Sequence, residues 1–171
     1  MTVAGLTVAD LEAMPDDGRR YELIGGAIVM TPAPGVDHQR VSFRLGQLLQ
    51  GAWPQMEVFM APIDLDLPGE QRVQPDLVVV ARGRTGRRLN LPVALVVEVV
   101  SPGSQTNDRV TKWATYAAAG IPAYWIVDPD GGVVTCLVLS DGDYRVVAEG
   151  AVVTLDDPVS LRIDLPALLE P

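Results

Sequence analysis

Residues 94–101 read ALVVEVVS, a run that is almost wholly apolar except for one carboxylate, Glu98. An ionised carboxylate in an apolar interior is costly unless something meets it. A second acid, Asp76, follows Pro75 at the head of another apolar run, PDLVVVA. If the two runs are neighbouring strands, both carboxylates can point to one side. Like charges that close repel unless one protonates or a cation lies between them. A hard divalent cation such as Mg2+ is held by one or two carboxylates plus carbonyls and waters, so the pair suits a metal site. It equally suits a plainer arrangement in which Asp76 caps a strand and Glu98 pairs with an arginine.

Lys112 adds to the metal reading. Twelve of the thirteen basic residues are arginine, and Lys112 is the only lysine. A compact ammonium and a guanidinium are not interchangeable. About one turn into the helix that follows Glu98, Lys112 could bring its ammonium to the same cleft, to orient or deprotonate an attacking water and to offset charge on a phosphorane-like transition state. Its alternative is an exposed i,i+4 pair with Asp108. Glu22, in YEL, is a further acid within a strand pattern.

Composition bounds the rest. The chain has 171 residues, 48% hydrophobic and 20% charged. That fits one globular domain over 1–171 with no need of a disulfide or structural metal. Cys136 is the only cysteine and lies in an alternating strand pattern, so it reads as core. No apolar run is long enough to span a membrane and no signal peptide is visible, so a cytoplasmic protein is expected. The net charge of -9 argues against general affinity for nucleic acid. The net negative charge concentrates in residues 113–171, however, which hold nine acids against Arg145 and Arg162, whereas residues 1–112 hold thirteen acids against eleven bases. Four bases cluster in RGRTGRR: Arg82, Arg84, Arg87 and Arg88. These form either a solvated loop or a phosphate-contacting one.

The elements that would position these residues follow from periodicity. LTVADLEAMP opens a short helix with Thr7 and Asp10 spaced as a capping box. YELIGGAIVM is a hairpin turning on Gly25-Gly26. In DHQRVSFRLGQLLQGAW, residues Val41, Leu45, Leu48 and Leu49 mark one helical face. EVFMAPIDLDL alternates as a half-exposed strand. Runs 75–81 and 94–101 are central strands. Thr106 or Asn107 can cap the next helix, whose apolar face is Val110, Ala114, Ala117 and Ala118, and Gly120 ends it. Strands AYWIVDP, VVTCLVLS and YRVVAE follow, joined by DGG and DGD turns, and DLPALLE closes as a short helix. The order predicts an α/β fold, a mixed sheet with helices packed on it. The last two of those strands are edge-prone apolar hairpin material, which suggests a homodimer.

The lines YELIGG, the lone His38 before an amphipathic helix, VQPDLVVV and LVVEVVSPGSQTNDRVTKWATYAAAGIPAYWIVDP resemble the Uma-two-type endonucleases of the PD-(D/E)XK restriction-endonuclease-like superfamily. The resemblance covers roughly residues 5–140. It implies a restriction-endonuclease-like core, with a mixed central sheet flanked by helices and extra β-hairpins. It also implies Mg2+- or Mn2+-dependent cleavage of nucleic acid, DNA by expectation. Asp76 and Glu98 match the motif acids and would ligate the metal, with the Val99 carbonyl as a third ligand. The superfamily lysine normally stands where this chain has Val100, and Lys112 matches its displaced form. Glu22 matches an early acid. His38 is either a phosphate or substrate contact or a helix-start residue without chemistry, and Tyr116 is read as packing. Ala27 departs from the family at a position where an acid is frequent. A non-catalytic nucleic-acid-binding or oligomeric module that keeps the fold is the alternative, and a metal-dependent hydrolase acting on something else is a third.

Overall fold

The computed structural model describes residues 5–31, 33–100 and 107–171, with the side chains of all but 107–109. Helix α1 (Val8–Glu12) starts on the capping box expected for it. Thr7 Oγ1 accepts from the Asp10 amide, and Asp10 Oδ2 accepts from the Thr7 amide at 2.7 Å. Strands β1 (Arg20–Ile24) and β2 (Ala27–Thr31) form a hairpin whose turn residues Gly25 and Gly26 take φ of 59° and 76°. That turn needs φ > 0 at both positions, which glycine adopts without steric cost.

Helix α2 (Val36–Ala52) buries Val41, Leu45 and Leu49 as the periodicity predicts. Leu48 is 39% exposed, however, and the buried face runs instead through Ser42 and Gly46. The reason is close approach. An added Cβ at Gly46 would meet Leu77 Cδ2 at 3.4 Å and Met60 Sδ at 3.6 Å, so the helix lies down on the sheet along its smallest residues.

EVFMAPIDLDL is two strands, β3 (Met56–Met60) and β4 (Leu65–Leu67), which join different sheets. Next come β5 (Gln71–Val73), β6 (Leu77–Ala81), β7 (Leu89–Asn90) and β8 (Leu95–Val99). Helix α3 (Asn107–Ala118) leads to β9 (Ala123–Asp128), β10 (Val133–Ser140) and β11 (Asp143–Gly150). The hairpin of β12 (Val152–Leu155) and β13 (Leu161–Asp164) precedes α4 (Leu165–Leu169).

The main sheet has the order β11-β10-β9-β8-β6-β3. Within it β6 and β8 run antiparallel, while β8 and β9 run parallel with α3 as their connection. A smaller sheet, β2-β1-β5-β4-β7, stands beside it. Strand alternation sorts the core into two layers. Leu77, Val79, Leu95, Val97 and Val99 face α2, α4 and the β12–β13 hairpin. Val78, Val80, Val96 and Val100 face α3 and the smaller sheet. Cys136 is fully buried in the first layer, and burial pushes its thiol up to about 12, which fits core rather than nucleophile.

Helix α3 corrects an expectation. Of the expected face Val110 is 71% exposed, Ala114 and Ala118 are exposed too, and only Ala117 packs, half-buried, against the core. The buried face carries Lys112, Thr115 and Tyr116. A tyrosine buries far more surface than an alanine, and the ammonium meets carboxylates on that side, so the helix turns away from its alanine stripe. The Thr106 or Asn107 cap and the Asp108 pair lie outside the described residues and side chains. Gly120 ends the helix at φ 72°, with the Ile121 amide donating to the Tyr116 carbonyl.

Candidate active site

Glu98 shares the parity of Val96 on β8, so it points into the layer below α3 and the smaller sheet. Leu77 pairs with Val97, and one step further along this antiparallel register Asp76 comes opposite Glu98 on the same face. The Val99 amide donates to Asp76 Oδ2 at 2.8 Å and ties the two chain segments together. The strand pair therefore brings the two acids side by side at one end of the sheet.

Three other elements complete the cluster. From α3, Lys112 Nζ donates to Glu98 Oε1 at 3.1 Å and stands 3.2 Å from Glu22 Oε1. Tyr116, one turn on, donates its hydroxyl to Glu98 Oε1 at 2.6 Å. From β1, Glu22 also accepts from the Gln74 amide at 2.7 Å and from Thr31 Oγ1 at 3.3 Å. Arg20, two residues before Glu22 and so on the same face, places Nη1 3.2 Å from Asp76 Oδ1 and donates through Nη2 to the Gln74 carbonyl. In the first turn of α2, His38 Nε2 lies 3.2 Å from the same Asp76 oxygen.

The electrostatics follow from burial. Glu22, Asp76, Glu98 and Lys112 are all buried. Burial, opposed by Lys112 and reinforced by Asp76 and Glu22, pushes the Glu98 carboxyl up to about 7. Burial also raises Asp76, but His38, Arg20 and the Val99 amide outweigh it and hold that carboxyl below its usual range. Burial works against the Lys112 ammonium, yet Glu98 and Glu22 overcome it and keep the group protonated well above its ordinary range. A charged ammonium donates hydrogen bonds and cannot accept a proton. Of the two roles open to Lys112, orienting a water or deprotonating it, this electrostatic setting favours the first. Three carboxyl groups face two permanent cations, so ionisation of Glu98 leaves a surplus of negative charge that an added cation would relieve.

A sequence model of the family described as Uma2, "Putative restriction endonuclease", matches residues 8–167. The chain belongs to the Uma2 family. No curated protein sequence matches it. Among solved structures, it is similar to a putative nuclease belonging to DUF820 from Anabaena variabilis, at 19% identity and a TM-score of 0.76, covering 96% of this chain and 97% of that one. At that identity the likeness concerns the fold, and it agrees with the mixed sheet and flanking helices described above.

In this Uma2 chain the structure brings Glu22, His38, Asp76, Glu98, Val99 and Lys112 together. It does not bring the arginine loop to them. Asp76 precedes the first residue of β6, whereas Arg82 follows the last and donates to the Pro54 carbonyl. Arg84 bonds Asn90 and the Pro92 carbonyl, and Arg87 is exposed. Arg88 donates to Glu12 and lies 3.6 Å from Asp64, which accepts from the Gln74 side chain. Three of the four thus fasten the loop to the fold. Arg20, Gln74 and the Tyr116 hydroxyl also contact this cluster, which residue type alone did not reveal. Spacing could have found two of them. Arg20 is i−2 from Glu22 on a strand, and Tyr116 is i+4 from Lys112 on a helix.

Proposed function

We propose that this chain is a divalent-metal-dependent endonuclease that hydrolyses phosphodiester bonds of nucleic acid, with DNA as the expected substrate. The observation that carries the proposal is the pairing of Asp76 and Glu98 on adjacent strands, with the only lysine of the chain 3.1 Å from Glu98. The donor set fits Mg2+ or Mn2+. Among the described residues Asp76 Oδ2 accepts one hydrogen bond and Glu98 Oε2 accepts none, so each carboxylate keeps an acceptor position. Among those residues no three His, Cys, Asp or Glu side chains form a ready-made cage. A two-carboxylate site suits a cation that retains several waters.

Asp76 and Glu98 would hold the cation, with the Val99 carbonyl beside them. A cation held there would polarise the scissile phosphate and lower the pKa of a nearby water, which would give up its proton to solvent. Lys112 would orient the attacking water by hydrogen bonding and offset charge on the phosphate oxygens as the new P–O bond forms and the old one breaks, the leaving oxygen taking its proton from solvent. Glu22 keeps the ammonium in place from the other side. Arg20 and His38 fix Asp76, and His38 is also placed to meet a phosphate. The exposed Val146 and Val147 on β11, the edge strand of the main sheet, support action as a homodimer, which sedimentation of the purified chain reads directly. Among the described residues no helix is long and apolar enough to cross a membrane. We place the protein in the cytoplasm.

The test is incubation of purified protein with single- and double-stranded DNA, with and without Mg2+ or Mn2+. Cleavage that needs metal and is lost in Asp76→Ala and Lys112→Met is expected. No metal-dependent cleavage, or equal cleavage by Asp76→Ala, overturns the proposal. The net charge of -9 favours one second reading, a non-catalytic module that keeps the fold. Binding of nucleic acid without cleavage in the same assay would identify it.

A further inference from the structure

We infer that Tyr116 is a positioning residue for the cation site: its hydroxyl pins Glu98 Oε1, so that Oε2 is the oxygen presented to a divalent cation. The inference rests on the metal-dependent reading above. Two donors load the same carboxylate oxygen, the Tyr116 hydroxyl at 2.6 Å and Lys112 Nζ at 3.1 Å. The other oxygen accepts no hydrogen bond among the described residues. Both donors come from one face of α3, a turn apart, so the helix sets the orientation of the carboxylate.

The two donors differ in rigidity. Lys112 reaches the cluster on a flexible stem and divides its ammonium between Glu98 and Glu22. Tyr116 has only two side-chain torsions. Its ring is fully buried and packs edge-on against Tyr124, with centroids 5.1 Å apart. Its own carbonyl accepts from the Ile121 amide at the end of the helix. A group held this firmly is suited to fix a ligand's rotamer. Loss of an outer partner of a metal ligand typically weakens the metal about 10–100-fold.

The experiment is Mn2+ titration calorimetry on the full chain, with thermal melts of each variant. Tyr116→Phe removes the hydroxyl and keeps the ring. Tyr144→Phe is the control. It removes another buried hydroxyl, which donates to the Ile121 carbonyl at 2.8 Å, from a ring that also neighbours Tyr124. The expected result is Mn2+ affinity about 10-fold weaker in Tyr116→Phe and unchanged in Tyr144→Phe. Tyr116→Met is the second variant lacking the hydroxyl, and it should show the same loss. Wild-type affinity in Tyr116→Phe overturns the inference and leaves the metal site standing. Equal losses in Tyr116→Phe and Tyr144→Phe overturn it by making the effect one of packing. No Mn2+ binding by the wild type overturns both the inference and the metal-dependent reading.

Discussion

The Glu98 carboxyl is buried near Asp76 and Glu22 with one ammonium and one phenol donating to it, and its cost depends on whether it carries a proton. Folding raises it to about 7 from an ordinary 4.5 because burial outweighs Lys112. The folded chain therefore holds a proton more tightly than the unfolded one between those values. The contribution of Glu98 to stability is complete below pH 4.5 and is lost as pH rises through 7. In urea melts with chelator present, wild type should lose stability relative to Glu98→Gln between pH 5 and pH 8. A flat difference, or one of opposite sign, contradicts this. A divalent cation needs the ionised form, so Mn2+ affinity of the wild type should climb over the same range and level off above pH 7. The residues behind this balance were partly legible in the sequence. Glu98 and Asp76 stand out as charges in apolar runs, and Lys112 as the lone lysine among arginines. Tyr116 was not, because a tyrosine on a helix face reads first as packing, and only its spacing from Lys112 ties it to the cluster.

At the scale of elements, α2 and α3 show what periodicity conveys and what it misses. Counting apolar positions treats an alanine as the equal of a tyrosine, so the stripe of Val110, Ala114, Ala117 and Ala118 looked like the buried face of α3. Energetically it is the weaker face, and the helix buries Tyr116 and Lys112 instead. In α2 the same counting gave Leu48 a buried place, although the contact with the sheet runs along Ser42 and Gly46. Gly46 gives a direct check. An added methyl would sit at ordinary contact distance from Leu77 and Met60, and alanine is about 1 kcal/mol better than glycine inside a helix. Gly46→Ala should therefore be neutral or stabilise the fold by up to about 1 kcal/mol in denaturant melts. A loss larger than about 1 kcal/mol would mean that the helix cannot yield at this contact.

Across the whole molecule, the site exists only where both sheets and two helices meet. The main sheet supplies Asp76 and Glu98, the smaller sheet Arg20 and Glu22, α2 His38, and α3 Lys112 and Tyr116. The central strands and the crossover helix could be read from their apolar runs and turn residues. Of the smaller sheet only the β1–β2 hairpin could, because β4, β5 and β7 have three, three and two residues. Segments that short carry no alternation, and their pairing joins parts of the chain far apart in sequence. This convergence is why one cation site tests the account as a whole. A crystal of the chain soaked in Mn2+ should show an anomalous peak between Asp76 and Glu98, within coordination distance of both, with Lys112 Nζ alongside. Soaked crystals with no peak there, or with Mn2+ bound only elsewhere, would contradict the account.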